Sequence, residues 1–177
     1  MSEILTFTGK MFDPLNPDVD LIDIRDIAHA LAHICRANGH YAEFYSVCQH
    51  SLDCYREAVA RGESKKIQLA CLLHDASEAY LSDVTRPVKA AMPMYLEFET
   101  PLQNTIWEHF LGSKLTEREE KTVFQIDDAM LYHEFLAHTG MALAPQPPKI
   151  WGSHAYTFVP FAEVESAFLD AFEKLTT

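Results

Sequence analysis

Basic residues are scarce in this chain: 14 lysines and arginines stand against 26 acidic residues, for a formal net charge of −12. Such a surface repels duplex nucleic acid and anionic membranes, both of which reward positive charge. No nucleic-acid or membrane partner is expected, and an anionic substrate would need local attraction from a metal ion and a few placed basic side chains. Long hydrophobic runs are missing as well. No apolar stretch reaches the roughly 18 residues of a membrane span, and residues 1–10 lack the charged start and apolar block of a secretory signal, so a cytosolic protein is expected. The four cysteines (Cys35, Cys48, Cys54 and Cys71) form no C-x-x-C pair. They sit in helix-like apolar patterns, which favours reduced core thiols over disulfide staples or a zinc–thiolate finger. There is no internal repeat or low-complexity tract, and 177 residues with 48 % apolar content suit one domain with a sizeable core.

What the chain does have is a polar interruption where it is most apolar. In residues 67–81 an adjacent His74 and Asp75, with Glu78 one turn later, break a run containing Leu69, Ala70, Leu72, Leu73, Ala76 and Tyr80. On a helix the three polar residues share one arc of roughly 100° and nearly all the remaining surface is apolar. The spacing therefore predicts a buried helix over 67–81 with the doublet in its middle. A buried carboxylate without a partner costs several kcal/mol. The doublet is then either satisfied by backbone groups at a polar edge or part of a metal or catalytic site whose other members lie elsewhere.

Residues 1–22, with Gly9, Pro14, Asn16 and Pro17, read as an N-terminal arm with a short extended piece at Thr6–Thr8. Ile24, Ile27, Ala28, Leu31, Ile34 and Cys35 recur at helical spacing and predict a helix that stops near Asn38–Gly39. His29 and His33 lie four apart on it but lack the glutamate of H-E-x-x-H. A second helix runs through Leu52, Cys54, Tyr55 and Ala58 to Arg61–Gly62, with His50 near its start. A third carries Tyr95, Phe98, Leu102, Ile106, Trp107 and Phe110, whose aromatics suit a core or a subunit interface. Thr116 with Glu119 makes a capping box for a long helix ending at Gly140, in which Asp127 and Asp128 interrupt the apolar face. Val123, Phe124, Met130 and Leu131 flank Asp127, which makes it the more interior of the two by periodicity. A proline-rich loop and a last helix after Pro160 complete the chain.

The polar set left over is His50, the His74–Asp75 doublet and Asp127, on three predicted helices. Two imidazoles and two carboxylates suit one divalent ion of the Zn, Co or Mn kind, with Mg also possible, and leave positions open for water and substrate oxygens. Asp83, Arg86 and Lys89 in the loop after Ser82 suit an anionic, hydroxyl-bearing ligand.

In these residues the chain resembles the HD-domain metal-dependent phosphohydrolases, whose order is His, then His-Asp, then a distant Asp. Tyr45–Ser51, Leu73–Tyr80 and Asp83–Lys89, with Phe7–Phe12 and Asp26–Leu31, are similar to the short branch containing 5′-deoxynucleotidases and phage dATP triphosphohydrolases. The resemblance implies an all-α, single HD-domain helical bundle over 1–177, with one metal held between helices by His50, His74, Asp75 and Asp127. It further implies hydrolysis of a deoxynucleotide at its 5′ phosphate, releasing phosphate from a monophosphate or triphosphate from a dNTP. Carried over by position, Glu78 orients water or moves a proton, Asp83 sits near sugar or water, Arg36 and Arg86 bind substrate and Lys89 touches phosphate. Two positions depart from the branch: Gln49 stands where glutamate is common, and Ala37 where a tryptophan can follow the substrate-binding arginine. A diesterase acting on a signalling nucleotide would call for a second metal, for which His109, His133 and His138 are available without forming a His-Asp doublet. A nucleotide-binding regulator without turnover and a homo-oligomer built on exposed aromatics such as Trp107 and Phe110 are the remaining expectations.

Overall fold

The computed structural model describes residues 3–177, so the first two residues of the expected N-terminal arm lie outside the described residues. The chain is mostly helical, in the order β1 (Ile4–Leu5), β2 (Met11–Phe12), α1 (Ile24–His33), α2 (Val47–Ala60), α3 (Lys65–Leu72), α4 (Glu78–Leu81), α5 (Arg86–Lys89), α6 (Pro93–Leu111), α7 (Glu117–Thr139) and α8 (Phe161–Thr176). α2 is the central rod and packs against α1, α3, α7 and α8. Its central position explains why it is buried on nearly every side, with polar as well as apolar residues inside. Ile27, Leu31, Val47, Leu52, Leu72, Ile106, Ile126, Met130 and Phe168 build the core around it.

Local chemistry sets the helix ends. Ser46 and Gln49 form a reciprocal capping box at the start of α2, and Thr116 and Glu119 form the expected one at the start of α7. Gly140 ends α7 in a left-handed conformation that a side chain would resist. The start of the chain is a hairpin: β1 pairs antiparallel with β2, and Thr6–Gly9 form the turn, where an extended piece was expected. The Thr8 backbone N–H and hydroxyl donate to the Asp26 carboxylate at 2.6 and 2.9 Å, which ties the hairpin to the first turn of α1.

Three further sequence expectations are corrected. The helix from Ile24 stops at His33, five residues before Asn38, because Ile34 and Cys35 are extended. The Ile34 carbonyl accepts from Val47 N–H (3.0 Å) and Arg36 N–H donates to the Tyr45 carbonyl (2.8 Å). The predicted helix over 67–81 is two helices, α3 and α4, with the His74–Asp75 doublet in the turns between them. There the Cys71 carbonyl, which a continued helix would offer to Asp75 N–H, accepts instead from the His74 ring at 2.8 Å. Trp107 is not an exposed aromatic: it is buried and its indole N–H donates to the Ala70 carbonyl at 3.2 Å, while Phe110 packs edge-on against Phe172.

The segment between α7 and α8 is stapled to α2. The fully buried His154 ring lies between Asp53 (3.3 Å) and Glu57 (3.2 Å). Glu57 also accepts from the N–H groups of Trp151 and Gly152 and from Arg61. A Cβ at Gly152 would sit 2.7 Å from His154 Nε2 and 3.2 Å from Glu57 Oε2, so the close approach requires glycine. Gln49, where the resembled branch often has glutamate, donates from its amide to the Thr157 carbonyl and so fixes the same segment.

Burial opposes the charge on Glu57, but Arg61, the two backbone N–H groups and His154 outweigh it and lower its pKa; burial likewise opposes the His154 charge, but Asp53 and Glu57 outweigh it and raise its pKa. The Glu57 contribution to stability is thus present above its ordinary value of 4.5 and lost as pH falls, whereas that of His154 is full below 6.5 and lost as pH rises through its raised folded value. His154→Ala, which leaves two buried carboxylates without this partner, should cost about 3 kcal/mol at neutral pH. In denaturant unfolding the gap between wild type and variant should narrow as pH is raised above neutral.

Candidate metal centre

The first-turn position of His50 on α2 follows from the Ser46–Gln49 cap, and its ring is fully buried. Its Nδ1 lies 2.8 Å from Glu134 Oε2 and its Nε2 lies 3.0 Å from Asp127 Oδ1. His74 lies just beyond the end of α3 with Nδ1 committed to the Cys71 carbonyl. A carbonyl can only accept, so His74 Nδ1 carries the hydrogen and the Nε2 lone pair of the neutral ring is free for the site. Glu134 does the same for His50, and orientation of this kind, from behind each imidazole, is how metal-ligating histidines are held.

Asp75 Oδ2 lies 3.2 Å from His74 Nε2 and 4.0 Å from His50 Nε2, while Asp127 Oδ1 is also 3.7 Å from His74 Nε2. The ambiguity between Asp127 and Asp128 is resolved geometrically: Asp127 points at the histidines, whereas the Asp128 side chain is 62 % exposed and meets only Arg86. Ligand atoms of His50, Cys54, His74 and Asp127 all lie within 4.8 Å of one another, a group able to hold a metal ion between helices. His74 Nε2 is buried with no well-formed hydrogen bond, an unsatisfied state that costs about 1–3 kcal/mol unless something binds there.

Burial pushes the pKa values of both imidazoles down, but carboxylates outweigh it and the net direction is up: Glu134 and Asp127 act on His50, and Asp75 and Asp127 on His74. Reciprocally, and against burial, the histidines hold Asp127 well below the usual carboxylate range, and Arg36 and His50 hold Glu134 down to about 2. Imidazoles and carboxylates in the cluster thus each favour the other's charged form.

Beside the cluster opens a cleft of about 520 Å³, within the usual range for a small-molecule site. Arg36, Arg86 and Lys89 line it together with Asp75, Glu78, Asp83, Asp127 and Glu134, and Leu131, Phe135 and Leu143 form an apolar wall. The loop carrying Arg36 passes through left-handed conformations at Ala37 and Asn38 (φ 52° and 51°), and the Arg36 guanidinium ties together Glu134 (3.2 Å), Asp75 (3.5 Å) and Asp83 (3.8 Å). Arg86 forks across Asp127 and Asp128 at 2.7 and 2.6 Å. Lys89 sits between Glu78 (3.4 Å) and Glu99. Burial, with Asp75 and Asp83 alongside, holds the Glu78 carboxyl well above the ordinary carboxylate range, and burial raises Asp83 against the pull of Arg36.

All nine residues expected from sequence therefore fall in or beside one cleft. Glu134, Cys54 and Glu99 were missed. Glu134 follows Asp127 by seven residues, two turns along the same face of α7, and an acidic residue at that spacing is the signal that could have found it. Of the other histidines, His29 pairs with Glu165, His133 Nε2 meets the Pro148 carbonyl and His138 stacks on Tyr41; neither these nor His33 and His109 join the group.

No family model matches the chain. Over 112 residues it is 39 % identical to the uncharacterized protein YfdR of Escherichia coli, a match that covers 62 % of this chain and 59 % of that protein. Over 111 residues it is 41 % identical to an uncharacterized protein of Rhodobacter capsulatus, with 58 % of this chain and 55 % of that protein covered. The chain thus spans a little over half the length of the curated relatives it matches. Among the described residues no helix is long and apolar enough to cross a membrane.

Two outcomes follow. Glu134→Gln, which removes the charge behind His50, should weaken Zn binding about 10–100-fold in calorimetry while the protein stays folded. Because carboxylates raise the pKa values of both imidazoles and an ion takes the deprotonated lone pair, Zn binding should release protons, detectable as buffer-dependent heats, and its affinity should fall as pH is lowered.

Proposed function

We propose that this chain is an HD-type metal-dependent phosphohydrolase, one helical domain over 1–177, that cleaves deoxynucleotides at the 5′ phosphate. The observation that carries this reading is the convergence of His50, His74, Asp75 and Asp127 at a cleft also lined by Arg36, Arg86 and Lys89. The donor set fits a divalent Zn, Co or Mn ion: two imidazoles have their Nδ1 atoms already committed, two carboxylates lie within 4.0 Å of His50 Nε2, and His74 Nε2 has no well-formed hydrogen bond. Such an ion supplies water activated near neutral pH and positive charge against the phosphoryl oxygens.

The remaining residues divide the work. Arg36, Arg86 and Lys89 would neutralise and orient phosphate. Arg86 is more than half exposed, and a phosphate offers its fork the same bidentate geometry that Asp127 and Asp128 now supply. Glu78, with its raised pKa and one buried carboxyl oxygen without a hydrogen-bond partner, is suited to take a proton from the attacking water and return it to the departing 5′ oxygen. As the water oxygen bonds to phosphorus, the bond from phosphorus to the 5′ oxygen breaks, and the nucleoside leaves with that proton. Asp83, close to Arg36, would meet the sugar, and the wall of Leu131, Phe135 and Leu143 gives the base an apolar face. Ala37, a small residue, also lines the cleft where the resembled branch can carry a tryptophan. The diesterase alternative loses ground because among the described residues no further histidine joins the cluster.

Metal-stripped protein resupplied separately with Zn, Co, Mn and Mg should hydrolyse at least one member of the four dNMPs and four dNTPs, releasing phosphate or triphosphate. His74→Ala should abolish turnover, and Glu78→Gln should lower kcat about 10²–10⁴-fold with the metal still bound. Nucleotide binding without turnover in every metal would instead make the chain a regulator.

A further inference from the structure

The donors assigned so far are nitrogen and oxygen, yet a sulfur sits among them. Cys54 follows His50 by four residues on α2, so the two share one face. Cys54 is 1 % exposed, and its Sγ lies 3.6 Å from His50 Nε2, the atom that faces Asp127. The ligand atoms of Cys54, His50, His74 and Asp127 are mutually within 4.8 Å. Independently, His74 Nε2 is buried in this cluster without a well-formed hydrogen bond. An ion bonded at about 2.0–2.1 Å to nitrogen and about 2.3 Å to sulfur would hold those two donors about 3–3.5 Å apart. The separation found on α2 is already close to that. The other buried thiols do not: Cys48 faces the Val164 carbonyl, and Cys71 is not among the converging atoms.

We infer that Cys54 is a metal ligand alongside His50, His74, Asp75 and Asp127, and that its sulfur makes the site selective for Zn or Co over Mn and Mg. This rests on the reading of the cluster as a divalent-ion site, and names the ion. Coordination forms one metal–sulfur bond and breaks the S–H bond, the proton leaving to solvent. A thiolate stabilises borderline-soft ions and offers little to Mg or Mn, which prefer oxygen. Cys54 thus supplies a preference that the His and Asp residues alone would not impose.

Cobalt titration of the metal-stripped full chain tests this without reference to turnover. Wild type should develop visible d–d bands together with an intense near-ultraviolet sulfur-to-cobalt charge-transfer band. Cys54→Ser should keep the visible bands and lose the near-ultraviolet one, while Cys48→Ser keeps both, with far-ultraviolet circular dichroism confirming the fold of each. Zn affinity should fall about tenfold or more in Cys54→Ser while Mg affinity changes little. Visible cobalt bands with no charge-transfer band in wild type would overturn the sulfur ligand and leave the metal site standing. That outcome requires no variant to fold. Absence of cobalt uptake would overturn the metal reading itself and this inference with it.

Discussion

The structure depends on the need to balance carboxylates inside a low-dielectric core. Asp75, Asp127 and Glu134 converge on two imidazoles and one guanidinium, reached from α2, the α3–α4 turn, α7 and the loop after α1. Removing any one partner leaves a buried charge uncompensated, a loss of several kcal/mol. The elements are therefore held in register by charge as much as by apolar packing. The same arrangement of imidazoles and carboxylates is a group able to hold a cation, any proton displaced from an imidazole by the ion passing to solvent.

The cleft lining shows the same imbalance. Three cationic side chains face five carboxylates, and each cation is already paired: Arg36 with Glu134, Asp75 and Asp83, Arg86 with the Asp127–Asp128 fork, Lys89 with Glu78 and Glu99. An anion entering such a cleft is not drawn in by free positive charge. A divalent ion in the histidine cluster would correct the deficit and free Arg86 and Lys89 to exchange carboxylates for phosphate. The net charge of −12 leads to the same requirement for the whole chain.

Much of this was legible because it is periodic. The long helices, the capping boxes and the choice of Asp127 over Asp128 all follow from residue spacing, and α6, α7 and α8 lie where the apolar stripes and the Gly or Pro boundaries put them. What was not legible depends on distant pairing. α1 stops at His33 because Cys35 bridges to Ser46, and nothing in residues 24–39 announces that strand-like contact. The break at His74 is a side chain taking a backbone acceptor, invisible to a pattern that scores apolarity alone. Glu134 and Cys54 share helix faces with Asp127 and His50, but the contacts that mark them are side-chain pairings, Glu134 with His50 across to α2 and Cys54 with His50 along it, which spacing alone does not show.

The central claim is that the cluster on α2, the α3–α4 turn and α7 is a divalent-ion site, and the most direct measurement is anomalous diffraction from crystals grown with zinc or cobalt. The expected result is one strong anomalous peak within bonding distance of Nε2 of both His50 and His74 and of Asp127, with Glu134 still hydrogen-bonded behind His50. A structure saturated with ion elsewhere, with no peak in the cluster and the imidazoles still clamped by Asp75 and Asp127, would contradict it.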